Sequence, residues 1–308
     1  MNILILGLGY IGSRLYLDLK DKYELSMVDI GWDNSKIDPN TIIIDYAKLD
    51  KSFINKFNAI ILTAGCSSVR GCVGNELASN KNNVDNFISL FKKINDNQIL
   101  IYMSSSSVYG MINVREASET NNCFTPSNAY DLQKFTIDNY TQIFNKPNVY
   151  GLRLATVAGF SPTLRIDTVI NSMVYSAKTN GNIHLYNSEL LRPIIGMSDL
   201  SVVIEKIITH NQNLGGIYNI GSFNSSMKEI ATKISNYLKV PIFKELIPEV
   251  IENYKLQSKL YDFSISTTKF RSYFGMIFKD SVESICQELL DNWNSMKFSK
   301  RITHHNYE

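Results

Sequence analysis

The stretch Asn2-Ile3-Leu4-Ile5-Leu6-Gly7-Leu8-Gly9-Tyr10-Ile11-Gly12 constrains the fold of this chain more tightly than any other. A continuous apolar run stopped by glycine reads as a buried strand. From Ser13 to about Lys20 the pattern turns helical. A Gly-x-Gly-x-x-Gly is a weak signal alone, and an ordinary glycine-rich turn shares its letters. Directly after a strand and at the opening of a helix, it stands in the context that gives it meaning. Gly7 permits a tight turn, Gly9 lets a pyrophosphate approach the backbone, and Gly12 lets helix and strand pack closely. The helix N-terminus then faces the phosphates.

The following segments extend this beginning. Glu24–Val28 reads as a second strand ending at Asp29, where an acid grips the ribose diol of an adenosine. The same charge repels a 2′-phosphate, so NAD is favoured over NADP. A solvated loop aspartate is the plainer alternative, and the position after the glycine turn argues against it. Further strands are expected at Thr41–Ile44, Asn58–Thr63, Gln98–Met103 and Val149–Ala155. Asp45 after the third either bonds an adenine amino group or caps a short helix. Ala64-Gly65 closes the fourth with residues small enough for a ligand to come close. Ala78–Lys93 reads as a helix with Val84, Phe87, Ile88 and Phe91 on one face.

Alternating strands and helices predict the α/β class, a Rossmann-type doubly wound parallel sheet. Residues 1–159 form the dinucleotide-binding part. From about Gly159 the texture changes. Phe160–Arg165 reads as a loop. Helices follow near 166–179, 198–210, 227–238 and 281–296, with short strands near 182–186, 194–197, 216–220 and 241–243. Residues 160–308 thus predict a smaller C-terminal α/β substrate lobe, interleaved with the last sheet strands.

Composition excludes several classes. The 308 residues carry a formal charge of +2 and no Lys/Arg block, so no nucleic-acid footprint is visible. No stretch reaches the ~18 apolar residues of a membrane span, and no basic segment precedes the apolar N-terminus. Cys66, Cys72, Cys123 and Cys286 match neither a zinc pattern nor a redox pair and read as small buried thiols. No metal site is expected, and a cytoplasmic protein is.

Two later stretches carry chemistry. Ser104-Ser105-Ser106-Ser107 ends the fifth strand, where hydroxyls can reach a substrate carbonyl or hydroxyl, or can simply bond within a loop. Tyr130 and Lys134 stand four apart on one helical face. An ammonium beside a phenol favours phenolate and lowers the tyrosine pKa, making Tyr130 a candidate general acid/base. Many solvated helices show the same spacing, so the pair gains meaning only from its surroundings.

Together these motifs resemble the extended short-chain dehydrogenase/reductase family, the branch that modifies nucleotide sugars, and UDP-galactose 4-epimerase-like enzymes within it. The resemblance rests on the glycine turn, Asn83-Val84, Ser104–Gly110 and Pro126–Lys134. It extends to Leu152–Gly159, Arg192-Pro193 and Ser198-Asp199-Leu200. It implies that Ser105 steadies a sugar oxygen, Tyr130 moves its proton, and Lys134 bonds the nicotinamide ribose. It places NAD, tightly held, against Gly7, Gly9, Tyr10, Ile11, Gly12, Asp29, Asp45, Tyr46, Ala64 and Lys134. It places a nucleotide-diphosphate sugar against Ser105, Ser106, Tyr130, Thr156, Arg165, Asn171 and Arg192, with Arg192 gripping the diphosphate. It also implies a homodimer built on the Tyr130 helix and the helix near 84–93. Phe87, Phe91, Phe135 and Tyr140 would supply its apolar surface or belong to the core.

Several positions depart from the family pattern. Leu6 stands where a further glycine is usual, Gln133 replaces a serine before the lysine, and Thr156 replaces an asparagine. Ser106-Ser107 stands where 4,6-dehydratases carry Asp-Glu, which disfavours dehydration. The Cys/His arrangement of 3,5-epimerase-reductases is not recognisable. The function expected is a nucleotide-sugar 4-epimerase. The alternatives are a one-way 4-dehydrogenase or 4-keto-sugar reductase and, from another class, a non-catalytic dinucleotide sensor.

Overall fold

Successive residues of a strand point to opposite faces, and the first strand shows it. Ile3 and Ile5 enter one apolar cluster, Leu4 and Leu6 another, and all four are fully buried. The sheet is therefore covered on both sides, as an uninterrupted apolar strand demands. In the computed structural model, which describes residues 1–31, 38–110, 114–121, 126–244 and 262–299, seven strands form this sheet. Their order is Gly216–Ile220, Val149–Leu154, Ile99–Ser105, Ala59–Leu62, Asn2–Leu6, Glu24–Asp29 and Ile42–Ile43. Every pairing is parallel. The chain moves outward from Asn2–Leu6 in one direction, then returns to its other side at Ala59–Leu62. The loops leaving those two strands diverge and open a crevice at their carboxyl ends.

Three differences from the sequence reading bear on the site. The fifth strand continues to Ser105, so Ser104 and Ser105 belong to the strand and a short turn follows at Ser106–Tyr109. The segment read as a loop at 160–165 contains a strand, Thr163–Arg165, paired in parallel with Lys297–Ser299. A partner so distant in sequence leaves no local pattern. The helix expected at 78–93 contains a π turn at Lys81–Asp85, between the helical stretches Glu76–Asn80 and Asn86–Lys93. Cys123 and residues 300–308 lie outside the described residues. Among the described residues no helix is long and apolar enough to cross a membrane.

The smaller lobe is centred on a three-stranded sheet in the order Phe223–Ser226, Leu191–Gly196, Thr156–Ala158. Arg14 of the first helix, 7% exposed, ties it to the large sheet. Its guanidinium pairs with Asp18 at 2.7 Å and Glu288 at 2.6 Å and donates to the Phe160 carbonyl at 2.9 Å. A second buried network lies under the Tyr130 helix. Asp138 accepts from Arg153 Nε at 2.8 Å and from the Tyr102 hydroxyl at 3.1 Å. Arg153 Nη1 reaches the Tyr109 hydroxyl at 3.0 Å, and that hydroxyl donates to Asn219 at 2.7 Å. Helix and sheet are thus joined through one chain of polar contacts.

Removing one partner of a buried ion pair strands the other charge. Arg153→Met is expected to lower unfolding stability by about 3–5 kcal/mol, read from the urea midpoint. An unchanged midpoint would show that Asp138 finds compensation elsewhere.

Candidate active site

The crevice begins at the glycine turn, where backbone meets backbone. Gly7 has φ +97°, and a Cβ there would lie 2.5 Å from the Ala64 nitrogen. A Cβ on Gly12 would run into the Gly7 carbonyl oxygen and lie 2.6 Å from Thr63 Oγ1. The turn is locked from both sides. Ala64 N donates to Leu6 O at 2.7 Å, and Thr63 Oγ1 donates to Gly7 O at 2.6 Å. Leu6, where the family pattern has glycine, points into the core and leaves the turn itself unobstructed. Asp29 Oδ2 accepts from Leu8 N at 2.8 Å, so its carboxylate sits beside the turn as well as at its strand's end. The helix Tyr10–Leu19 opens with Gly9 as N-cap, with no side-chain cap and no acid in its first turn. Such a cradle fits a dinucleotide pyrophosphate, with N–H groups and a favourable dipole facing it.

The Tyr130 helix, Ala129–Phe144, starts where Asn128 Oδ1 accepts from Asp131 N at 3.0 Å, an N-cap bond. This start sets Tyr130 against the end of the fifth strand. The Tyr130 hydroxyl is hydrogen-bonded to Ser105. Ser105 Oγ also shares a hydrogen bond of 2.8 Å with Ser107 Oγ. Lys134 donates to the Met103 carbonyl at 2.7 Å, with its ammonium 5.7 Å from the Tyr130 ring centroid.

The electrostatics bring in a second cation. Burial pushes the Tyr130 phenol up to about 12, against the opposing effects of the Ser105 bond and the Arg165 cation. Lys134 is shifted as well. Burial takes the ammonium itself down to about 8, with Asp138 acting the other way, and its proton is directed at Met103. Arg165 is a cation that acts on the phenol. It is held by two bonds to Asp167, at 2.9 and 2.8 Å, and donates to Ser67 at 3.2 Å.

A cavity of about 290 Å³ joins these parts. Of the residues singled out in the sequence, Gly9, Tyr10, Ile11, Ala64, Ser105, Ser106, Tyr130, Lys134, Thr156, Arg165 and Arg192 line it. Gly7, Gly12 and Asp29 are not among its lining residues. Asp45 caps the turn Tyr46–Lys48 through Ala47 N at 2.9 Å, and the Tyr46 hydroxyl donates to the Asn82 carbonyl at 3.1 Å. Asn171 is 1% exposed and committed to the fold. Its Oδ1 accepts from Gly159 N at 3.0 Å, and its Nδ2 donates to the Tyr10 hydroxyl and the Arg165 carbonyl at 3.0 and 2.9 Å.

The sequence reading passed over several lining residues: Cys66, Ser67, Ser68, Thr168 and Phe263 among them. No regular pattern marked them. Ser104 Oγ and Thr168 Oγ1, of two residues at this wall, are buried without a hydrogen-bond partner among the described residues. Gln133, noted as a departure, has a definite task. Its Oε1 accepts from Asn83 Nδ2 at 2.6 Å and its Nε2 donates to Ser79 Oγ at 2.8 Å. Asn83 in turn holds Cys66 by both backbone groups, at 2.8 and 3.0 Å. A side chain on Gly65 would strike Asn83 Oδ1 at 2.8 Å.

The fold and this site define a dinucleotide-binding α/β protein with a Ser-Tyr-Lys cluster at the carboxyl edge of its sheet. More particularly, the chain belongs to the NAD dependent epimerase/dehydratase family, which its residues 3–221 match. Members of this family are NAD-dependent enzymes, and NAD is the cofactor. Protein CapI of Staphylococcus aureus is 26% identical over 235 residues, 68% of this chain and 69% of that protein. Among solved structures, MoeE5 in complex with UDP-glucose and NAD is similar, with a TM-score of 0.80 at 18% identity. That likeness covers 96% of this chain and 99% of MoeE5. The UDP-N-acetylglucosamine 4-epimerase from Methanobrevibacter ruminantium M1 has a TM-score of 0.78 at 23% identity, covering 96% and 98%. TunA, an NAD-dependent NDP-hexosamine 5,6-dehydratase, has a TM-score of 0.81 at 16% identity, over the same shares.

The depressed Lys134 pKa gives a pH test on the cofactor-free protein. Below about pH 8 the folded state carries the buried charge at a cost. That cost disappears as pH rises toward 10.5, the ordinary lysine value. The stability of Lys134→Met relative to wild type is therefore expected to fall by roughly 3 kcal/mol between pH 7 and pH 10.5, followed by urea unfolding. A pH-independent difference would place the ammonium in water.

Proposed function

We propose that this protein is a nucleotide-sugar 4-epimerase. The observation that carries the reading is the makeup of the cavity wall around Tyr130. Three hydroxyl-bearing side chains, Ser105, Ser106 and Ser107, stand there, and no carboxylate lines the cavity among the described residues. Elimination of a sugar hydroxyl needs an acid to protonate the leaving oxygen. This wall provides for moving one proton on and off a sugar oxygen and offers no such acid. The similarity to 4-epimerases is further support.

Bound NAD supplies hydride acceptance and return. The chain supplies the rest. Tyr130 removes the proton from the sugar 4-hydroxyl and gives it back. The bond between Ser105 and Tyr130 sets two hydroxyls side by side at that oxygen, and Ser107 orients Ser105. Arg165 favours the phenolate, offsetting part of what burial costs it. Lys134, already anchored at Met103, keeps a donor beside the ribose position. Arg192, in the Leu191–Gly196 strand of the smaller lobe, meets the diphosphate. Asp29 holds the adenosine ribose and disfavours a 2′-phosphate.

We also propose a homodimer. Phe87 and Phe91 are core residues. Leu77, Leu132, Ile143 and Phe144 are instead exposed on the two helical elements concerned, at 90%, 51%, 75% and 57%.

The deciding experiment incubates the protein with UDP-, GDP-, CDP- and dTDP-sugars while following reduced-cofactor absorbance and product stereochemistry. An epimerase inverts C4 with no net change in cofactor. Stoichiometric reduction or oxidation would make it a 4-dehydrogenase or 4-keto-sugar reductase, and no turnover with any sugar would favour a dinucleotide sensor. Tyr130→Phe is expected to cut turnover by about 10²–10⁴ with NAD still bound; unchanged turnover would remove Tyr130 from the chemistry. Asp29→Ala is expected to narrow the preference for NAD over NADP in a binding titration. An unaltered ratio would mean the ribose is held elsewhere.

A further inference from the structure

Cys66 and Cys72 are six residues apart, yet their sulfurs lie 3.1 Å from each other. Both are buried, at 6% and 1% exposure, and neither is in a disulfide. Cys66 lines the cavity and Cys72 does not, so a small molecule entering there meets Cys66 first. We propose that the two cysteines form an oxidation site in the cavity wall: a hydroperoxide oxidises Cys66, and Cys72 resolves it to an intramolecular disulfide.

The local structure prepares this reaction. Asn83 fixes the Cys66 backbone by its N–H and its carbonyl, at 2.8 and 3.0 Å. Cys72 ends the short helix Val69–Cys72, whose start is tied by Gly71 N donating to Ser68 Oγ at 3.0 Å. Gly71 leaves the space the sulfurs share, since a Cβ there would lie 3.1 Å from Cys66 Sγ and 2.9 Å from Ser68 Oγ. A disulfide bond is about 2.05 Å long, so closure asks for a displacement of about 1 Å. Cys72 donates to Cys66, and that bond together with burial keeps its thiol protonated. Cys66, on the cavity wall where Cys72 is not, is the site of first attack, and Cys72, its sulfur 3.1 Å away, is the resolving partner.

The chemistry balances in two steps. Cys66 sulfur attacks the peroxide, the O–O bond breaks, and the hydroperoxide leaves as an alcohol or water carrying the thiol proton. Sulfur is oxidised to sulfenic acid while the peroxide is reduced. Cys72 sulfur then attacks Cys66 sulfur, the S–O bond breaks, and the hydroxyl leaves as water with the Cys72 proton.

The consequence falls on the cavity. With Cys66 pinned by Asn83, the movement is taken up by 67–72. Ser67 and Ser68 line the cavity, and Ser67 holds the Arg165 guanidinium at 3.2 Å. Cys72 also faces Gln133 Oε1 at 3.7 Å, next in sequence to Lys134. Closing the disulfide pulls at the wall on both sides of Tyr130.

The test exposes wild-type protein to hydrogen peroxide, blocks remaining thiols with maleimide after denaturation, and identifies peptides by mass spectrometry. The expected product is a Cys66–Cys72 cross-link lacking two hydrogens, with Cys286 still labelled. Sugar turnover and NAD binding are measured on the same samples, and both are expected to weaken and to recover with dithiothreitol. NAD binding keeps this readable whatever sugar the protein takes. In Cys72→Ser, or in Cys72→Ala should the first fold poorly, a dimedone-reactive sulfenic acid on Cys66 is expected in place of the cross-link. Full maleimide labelling of both cysteines after peroxide treatment would overturn the proposal, as would a cross-link that leaves NAD binding and turnover unchanged.

Discussion

Backbone against backbone, where the glycine turn meets the end of the Ala59–Leu62 strand, is the contact on which the site depends. Gly7, Gly12, Thr63 and Ala64 approach so closely that a methyl group on either glycine collides. That approach sets the spacing of the two strands between which the sheet order reverses. It also fixes where the first helix begins, and so where its uncapped N–H groups point. Asp29 is drawn into the same arrangement through Leu8. A pocket for a dinucleotide is thus a by-product of how two strands leave the sheet.

The far side of the cavity is built from charge rather than contact. Lys134 and Arg153 are cations in places where water is excluded, and each is stabilised by something the fold supplies. Lys134 has the Met103 carbonyl and the nearby Asp138; Arg153 has Asp138 directly and the Tyr109 hydroxyl. Asp138 therefore serves both a residue of the site and a residue of the scaffold. The Tyr130 phenol pays the opposite penalty, held neutral by burial until a cation and a hydroxyl lower the cost of its anion.

Much of this was legible in the sequence, and the boundary has a physical reason. Apolar runs ended by glycine or aspartate announce parallel strands, because both faces are buried and the ligand sits at the carboxyl end. Tyr130 and Lys134 announce themselves by helical spacing. What local pattern could not give is whatever depends on distant partners. The Thr163–Arg165 strand exists only because Lys297–Ser299 pairs with it. The reading of Lys134 as the cation acting on Tyr130 considered two residues on one helix and so missed Arg165. Burial of both, the competing Met103 carbonyl and the approach of Arg165 from the smaller lobe are tertiary facts. Asn171 shows the same limit, since its amide is consumed by Gly159, Tyr10 and the Arg165 carbonyl.

The π turn at Lys81–Asp85 has a bearing on how this sequence can change. A π turn holds one residue more than an α turn of equal rise, so it amounts to an insertion retained inside a helix. Deleting a residue there would restore regular geometry and swing Glu76–Asn80 by about 100° about the axis. Ser79 would leave Gln133, and Asn83 would lose the direction that lets it grip Cys66. The helix would be more regular and the cavity wall unsupported. Length in this segment is consequently less free to drift than composition, and a chain lacking that extra residue would have to brace the Ala64-Gly65-Cys66 loop by other means.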